Sequence, residues 1–490
     1  MENSRMTWLG NNQEREKNMT TTSYKRSTIV ALLLAGAFIA ILNQTLMITA
    51  IPPIMEEMGI SANTGQWLTT VFMLVNGIMI PVSAFLLERF TTRQLFITAM
   101  SVFAVGTLVA GIAPNFSILL LGRVIQSAGA GVMLPLMQTV FLMIFPVNKR
   151  GAAMGLIGLV ISFAPAIGPA LSGWITSNYS WRLLFFIILP IALIDIIVAV
   201  FAMKNVTEVK RPRVDIPSIA MSSLGFGGLL YGFTSAGNNG WFASLTLLSL
   251  GIGILSLVLF ITRQLRLEHP MLEFRVYKYP IFPLAVLIGM IAFMGLIGVE
   301  TIIPLYMQNM REFSAFEAGL ALLPGALITG FMSPVTGRIF DRVGARWLAI
   351  IGLSIITASS FAFTNLDTST SLSFITIMYS IRMFGLSMVM MPIATAGLNQ
   401  LPQRLIPHGA AMDNTMRQIA ASVGTAILVT VMTSTASNAE SRPEISYPDI
   451  YGANMAFIVV SLLSLLGLIL SFFIKKTKPE VEQKEQRDRG

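Results

Sequence analysis

Several ionisable side chains stand inside long apolar stretches of the sequence, where a charge is costly. Glu300 lies in one such stretch, and Asp195 lies among isoleucines in another. A carboxylic acid in these surroundings binds a proton when it is cut off from water and releases it when water or a cation reaches it. Arg123 and Arg382 stand in two further apolar stretches, and an arginine near such a carboxylate changes its affinity for protons. These residue types therefore indicate proton exchange in apolar surroundings.

Structural interpretations of the same residues stay open. An arginine could stabilise a helix bundle or extend to its surface, and a carboxylate could be hydrated near the mouth of a cavity. For Asp195 the structural interpretation is the favoured one. Asp413 and Arg417 are four residues apart and share a helical face, so we expect them chiefly to neutralise each other.

Other reaction chemistries lack the residues they need. The sequence has no cysteine, which excludes disulfides, thiolate metal sites and cysteine nucleophiles. His269 and His408 are its only histidines, which disfavours a metal site built from histidines. We recognise no nucleophile–base pair, metal cluster or phosphate-binding loop, so we expect neither an enzyme nor a cofactor.

Long apolar stretches must position these side chains. Of the 490 residues, 54% are hydrophobic and 12% are charged, with a mean hydropathy of +0.72; a soluble domain has about 25% charged residues. About 20 apolar residues cross a bilayer as a helix, whereas barrel strands need about 10. The fourteen predicted spans are 28–51, 66–87, 95–113, 117–142, 151–173, 183–203, 216–235, 243–262, 281–305, 316–337, 347–365, 372–396, 409–433 and 453–474.

Basic residues lie almost entirely on one side of these spans. With the N-terminus inside, the cytoplasmic flanks hold 21 lysines and arginines and the outer loops hold three. This bias predicts that both termini are cytoplasmic. It also accounts for the net charge of +9, so we expect no nucleic-acid partner. The polar first 27 residues do not resemble a secretory signal peptide, so we expect the first span to direct insertion.

A repeated loop motif indicates two related halves. Residues 84–93 and 337–346 both read small-x-aliphatic-x-acid-Arg-x-x-x-Arg, and an intramembrane arginine follows two spans later in each case. Such a duplication favours two pseudo-symmetric halves with a substrate site between them. The predicted division is a cytoplasmic segment 1–27, a six-helix half 28–203, two inserted helices with linkers 204–280, a six-helix half 281–474 and a cytoplasmic tail 475–490.

Ordered motifs along the chain carry a family resemblance. They are residues 42–52 in the first span, 123–129 in the fourth, 164–173 in the fifth and Trp181-Arg182 before the sixth. With the loop motif, this set resembles the major facilitator superfamily, specifically its fourteen-span drug:proton antiporters of the lincomycin-resistance type. The resemblance implies an all-α major facilitator fold in the bacterial cytoplasmic membrane. It implies a monomer that exports amphipathic or cationic drugs in exchange for protons by alternating access, driven by the proton gradient.

The resemblance also assigns residues to proton coupling. Asn43 stands where the family has an aspartate, and an amide carries no proton, so another carboxylate must serve. Glu300 is the best placed because its span corresponds to a cavity-lining helix of the family. Asp195 and Asp413 are the next candidates after Glu300. Arg123 is the arginine expected to tune coupling.

The resemblance also assigns residues to the substrate cavity and to gating. The polar residues expected to line the substrate cavity are Asn43, Gln44, Asn76, Gln126 and Arg382. The fifth-span motif is expected to approach the opposite half closely and help seal the cytoplasm-facing side against leak. The loop motif is expected to bias the inward–outward equilibrium through helix-end contacts. These gating residues are Glu88, Arg89, Arg93, Gly168, Pro169, Gly173, Gly337, Asp341, Arg342, Gly344 and Arg346.

Two other functions stay open. The exported solute could instead be endogenous, such as a lipid precursor, an amino acid or a siderophore. The second alternative is a sensor or scaffold that transports nothing. The paired loop motifs, the fourth-span arginine and the fifth-span motif argue against this alternative.

Overall fold

The computed structural model describes residues 26–206 and 214–475, and the regular elements in these ranges are all helical. Within them, fourteen helical segments are long and apolar enough to cross a membrane, which confirms the predicted number of spans. The predicted cytoplasmic segment before residue 26, residues 207–213 and the tail beyond residue 475 lie outside the described residues. The α-helices are α1 Arg26–Met58, α2 Ala62–Arg89, α3 Thr92–Gly111, α4 Phe116–Ile144, α5 Arg150–Asn178, α6 Leu183–Ala202, α7 Ile216–Asn239, α8 Ser244–Arg266, α9 Ile281–Leu305, α10 Ala315–Val343, α11 Ala345–Ala362, α12 Leu372–Ser387, α13 Met390–Leu398, α14 Ile406–Glu440 and α15 Pro448–Ser471.

The twelfth span is broken, although the sequence predicts one helix over 372–396. It consists of α12 and α13, and Pro392 lies in the first turn of α13. Proline has no N–H to donate to the carbonyl four residues before it, so the hydrogen-bond ladder is interrupted there. The Arg417 side chain on α14 donates to the Met390 carbonyl at 3.2 Å, which adds a donor at the break.

Polar residues in the short connections start the helices. The Ser314 hydroxyl accepts from the Glu317 backbone N–H at the start of α10, and the Glu317 carboxylate accepts from the Ser314 backbone N–H. Thr91 and Gln94 form the same reciprocal cap at α3, and the Asn115 side chain caps α4. These contacts satisfy N–H groups that a helix start leaves without partners, so the apolar runs begin as helices at defined residues.

The helices form two groups, α1–α6 and α9–α15. In the first group α1 packs against α5, and α4 packs against α2 and α3; in the second α9 packs against α14, and α11 against α15. The groups meet mainly where α5 lies along α10, and where α14 packs against α2 and α4. We call the end of the bundle where α2 joins α3 and α10 joins α11 the basic face, because both copies of the loop motif lie there, and the opposite end the far face.

The inserted helices lie beside the junction of the two groups. Helix α7 packs against both α2 and α14, and the Trp241 indole just after it donates to the Thr430 hydroxyl of α14 at 2.8 Å. Helix α8 packs against α7 and exposes an apolar face that includes Leu248 and Leu255, each 62% exposed. Helix α7 therefore bridges the two groups, and α8 has the apolar outer face of a helix that contacts lipid.

Candidate functional site

Arg123 is the centre of a buried hydrogen-bond network in the first group. Its side chain is 0% exposed and donates to Asn43 Oδ1 and Gln126 Oε1, both at 2.7 Å, and to the Leu68 carbonyl at 3.2 Å. The centroid of the Phe72 ring lies 4.2 Å from its guanidinium carbon. Neutral acceptors and an aromatic face therefore stabilise this charge, and no carboxylate of the described residues forms an ion pair with it.

Two of the predicted cavity residues belong to this network. Asn43 and Gln126 are 2% and 0% exposed, because both amide oxygens accept from Arg123. The Gln126 amide also donates to the Thr107 hydroxyl at 2.7 Å. In this conformation they hold the helices of the first group together and do not line a cavity. Gln44 and Asn76, by contrast, are half-buried.

A second polar cluster lies at the matching place in the second group. Glu300 on α9 is half-buried, and the Tyr379 hydroxyl on α12 donates to its Oε1 at 3.5 Å. Arg382 is 2% exposed and lies against Gly295 of α9, where an added Cβ would be 3.0 Å from its Nη2. Glu300 and Arg382 are close enough to interact electrostatically. The structure therefore brings the predicted coupling carboxylate together with Arg382 and places Arg123 in the other group.

The other two candidate carboxylates lie apart from this cluster. Asp195 on α6 is 5% exposed, and its Oδ2 has no hydrogen-bond partner in the part of the chain that the structure describes. That atom would lie 3.2 Å from a Cβ added to Gly36 of α1. Asp413 Oδ2 lies 3.1 Å from Arg417 Nε, and both side chains are buried. Asp195 is thus an acid within a helix interface, and Asp413 is one member of an ion pair.

Glycines allow α5 and α10 to touch through their backbones near the basic face. A Cβ added to Gly337 would lie 2.1 Å from the carbonyl oxygen of Gly151. Further along, the rings of Phe163 and Phe331 meet edge to face with centroids 5.0 Å apart. Gly173, nearer the far face, would have no atom within 4 Å of an added Cβ. We call the contact between Gly151–Phe163 and Phe331–Gly337 the seam; it closes the bundle toward the basic face.

Asp341 stabilises the seam through hydrogen bonds between α10 and α5. Its two carboxylate oxygens accept from the backbone N–H groups of Gly151 and Ala152 at 2.7 and 2.9 Å. These N–H groups belong to the first turn of α5, where they lack intrahelical partners and where the helix dipole favours a negative charge. The loop motif of one group therefore caps a helix of the other, which is the kind of helix-end contact that the motif predicts.

The remaining loop-motif residues lie on the same face. The Arg93 guanidinium donates to a backbone carbonyl near the end of α6, and that of Arg89 lies 5.9 Å from an aromatic ring of its own helix. Arg342 and Arg346 are exposed. Gly344 has a φ of +83°, a conformation that a residue without Cβ adopts at little cost, and it allows α11 to follow α10 directly.

The first copy of the motif contacts the second group through a histidine. Oε1 of Glu88 on α2 lies 3.3 Å from Nε2 of His408, in the first turn of α14. His408 is 4% exposed, and its Nδ1 accepts from the backbone N–H of Glu273 in the linker before α9 at 3.4 Å. This role of His408 was not predicted from the sequence. The signal that could have indicated it is a histidine near the start of a span, on the same side as the loop motif.

A second contact between the groups was also missed. The Asn414 amide on α14 donates to Gln138 Oε1 on α4 at 2.7 Å, across 276 residues of sequence. Gln138 is 1% exposed. A buried amide pair of this kind is costly to separate unless water replaces each partner.

Two residues of the fifth-span motif pack against α1 of their own group. A Cβ added to Gly168 would lie 2.1 Å from the Thr45 hydroxyl oxygen of α1. The Ser172 hydroxyl donates to the Leu46 carbonyl, also on α1, at 2.6 Å. The close approach at Gly168 is therefore to α1. The contribution of Pro169 and Gly173 to sealing stays a prediction.

Comparison with known proteins agrees with this architecture. The chain matches the Major Facilitator Superfamily profile over residues 33–425. It is 56% identical to the uncharacterized MFS-type transporter YcnB of Bacillus subtilis strain 168 over 464 residues, 95% of this chain and 98% of that protein. It is 42% identical to the lincomycin resistance protein LmrB of the same strain over 464 residues, 93% and 97% of the two chains. It is 30% identical to the multidrug export protein EmrB of Haemophilus influenzae over 402 residues, 81% and 78% of the two chains.

A solved structure shares the fold. The crystal structure of the human organic anion transporter MFSD10 (TETRAN) aligns with a TM-score of 0.65 and 13% identity, over 91% of this chain and 99% of that one. At this identity the likeness concerns the fold alone. With the profile match and the relatives, it leads to one conclusion: the chain belongs to the major facilitator superfamily and is a multi-pass membrane transporter.

Proposed function

We propose that the protein exports amphipathic or cationic drugs in exchange for protons by alternating access. The observation that carries the proton exchange is the cluster of Glu300, Tyr379 and Arg382, in which a half-buried carboxylate has a hydroxyl donor and a cation beside it. The drug substrates are supported by the relatives named for lincomycin resistance and multidrug export. In such a cycle, drug and proton occupy the transporter alternately. The transporter turns in one direction with the drug bound and returns with the proton bound.

In this proposal the basic face is cytoplasmic, in keeping with the positive-inside bias. The structure then corresponds to an outward-facing state, because the seam is closed toward the basic face and Gly173 faces open space. Opening toward the cytoplasm must separate Asp341 from the start of α5, Glu88 from His408, and the buried amide pair between α4 and α14.

We propose that the segments predicted from the sequence are the units that move during transport. The halves 28–203 and 281–474 would move against each other, and the inserted segment 204–280 would stay in contact with both through α7. We propose a functional monomer, in which one chain supplies both halves.

An efflux panel tests the proposed substrate class. The full chain, expressed in a bacterial host stripped of its own pumps, should lower the accumulation of several chemically unrelated amphipathic compounds and raise their inhibitory concentrations. The lowered accumulation should disappear when an uncoupler collapses the proton gradient. If no drug is exported while a lipid precursor, amino acid or siderophore accumulates outside, the endogenous-solute function replaces this one.

Short epitope tags test the proposed orientation. Tags at positions 210, 270 and 480 should be protected from an impermeant label in intact cells, because the basic residues around them favour the cytoplasm. Tags at 238 and 440 should be labelled. Permeabilised cells, in which every tag reacts, provide the control for tag exposure. Labelling at 270 in intact cells would overturn both the orientation and the placement of the inserted helices.

A further inference from the structure

The two intramembrane arginines hold matching places in the two halves. Arg123 lies on the fourth helix of the first half, and Arg382 lies on α12, the fourth helix of the second. In each half the first helix supplies the facing polar residue, which is Asn43 on α1 and Glu300 on α9. The repeat therefore places an arginine and a polar residue on corresponding helices twice: Arg123 donates to the neutral Asn43 at 2.7 Å, and Arg382 interacts with the carboxylate Glu300 through its charge.

The two arginines differ in how their donors are used. Arg123 donates to two amide oxygens and a backbone carbonyl and leaves one nitrogen, Nη2, without a partner. For Arg382, neither Nη1 nor Nη2 has a hydrogen-bond partner among the described residues. Unmade hydrogen bonds of a buried guanidinium are costly, so a nearby acceptor would stabilise Arg382.

Glu300 is the carboxylate that interacts with Arg382. Tyr379 lies three residues before Arg382 on α12 and donates to the same carboxylate at 3.5 Å, so a hydroxyl donor and a cation lie on one helical face beside Glu300.

Helices α14 and α15, which also pack against α9, present apolar side chains near this level. Helix α14 presents Leu428 at Gly298, and α15 presents Val460 there. Arg417 of α14 lies against Gly289, about 16 Å further along α9 from Glu300.

We propose that Arg382, rather than Arg123, is the arginine that governs proton exchange at Glu300. It is a positioning residue, and this inference rests on the proposed function. Glu300 pairs with Arg382 after releasing its proton, and the Tyr379 hydroxyl donates to the same carboxylate. Arg382 keeps its own proton throughout, so each cycle binds and releases one proton at Glu300. Arg123 serves the packing of α1, α2 and α4.

The pH profile of drug exchange in proteoliposomes tests this assignment. Without the cation, the ionised form of Glu300 is less favourable, so Arg382→Gln should move the profile to higher pH by about one unit or more. Arg382→Lys keeps the charge and should restore the profile in part. Arg123→Gln, the matched control in the other half, should lower the amount of folded protein and leave the profile of the surviving protein in place.

A second measurement covers the case in which Arg382→Gln does not accumulate. The double variant Glu300→Gln/Arg382→Gln removes both charges and should accumulate better than Arg382→Gln alone, because no unpaired charge is left. Absence of that rescue, or a profile that moves in Arg123→Gln and stays in Arg382→Gln, overturns the assignment. If wild-type exchange itself does not respond to a pH gradient, the proposed function fails instead.

Discussion

We expect Glu300→Gln to abolish proton-driven drug transport while the protein still inserts and binds drug. Glutamine keeps the size and the hydrogen bonding of the side chain but fixes it in a neutral state, so Tyr379 retains its acceptor and no proton is exchanged. In proteoliposomes with an imposed pH gradient, drug uptake should fall to that of empty vesicles. Binding of an uncharged drug should persist, and a cationic drug should bind more weakly because an opposite charge is lost.

Two other intramembrane carboxylates provide matched controls. Asp195→Asn should keep the response to the pH gradient, because Asp195 lies in a helix interface away from the Glu300 cluster. Asp413→Asn leaves Arg417 unpaired and should destabilise the fold by about 3 to 5 kcal/mol; the protein that remains should still be coupled. If Glu300→Gln remained fully coupled and Asp195→Asn lost coupling, the role of binding the exchanged proton would belong to Asp195.

The spans and the repeat could be predicted because their signals are local. A run of apolar residues specifies a helix wherever it lies in the chain, and the charge of its flanks depends on adjacent residues alone. The repeated loop motif is likewise readable within ten residues. Even so, the break after α12 was not predicted. A proline in an apolar run can kink, end or merely weaken a helix, and the outcome depends on which neighbouring residues supply hydrogen-bond donors. Here Arg417 supplies one from a different helix.

The site could be predicted only in part, because its contacts join distant residues. Arg123 was located by its motif, but its acceptor Asn43 lies 80 residues away. The hydrogen bond between Arg123 and Asn43 could not be predicted, since no local feature shows which polar side chains satisfy each other. The pairing of Glu88 with His408 depends on how two helix ends meet. Burial and partner choice are properties of the packed helices, so they become visible only in the structure.

Bulk at the seam should also impair drug exchange strongly. Gly337→Leu places a side chain where an added Cβ would already lie 2.1 Å from the Gly151 carbonyl oxygen, and backbone cannot move aside as a flexible side chain can. Overpacking of this kind costs about 1–3 kcal/mol or more, which lowers the population of the closed basic face at least about fivefold. Drug exchange should fall by a similar factor, while the amount of inserted protein stays close to that of the wild type.

A single introduced cysteine can report the conformational shift, because the chain has none of its own. Ile48 on α1 is 55% exposed in this conformation, and Ile48→Cys should react with an impermeant thiol reagent applied from the far face. Gly337→Leu should slow that reaction, since it disfavours the state in which the far side is open. Gly173→Ala is the matched control on the facing helix, where an added Cβ meets nothing within 4 Å, and it should change neither labelling nor exchange. Unchanged labelling in Gly337→Leu would show that closure of the basic face does not depend on the backbone contact between α5 and α10, and the role of closing that face would then belong to Asp341 and the Glu88–His408 pair.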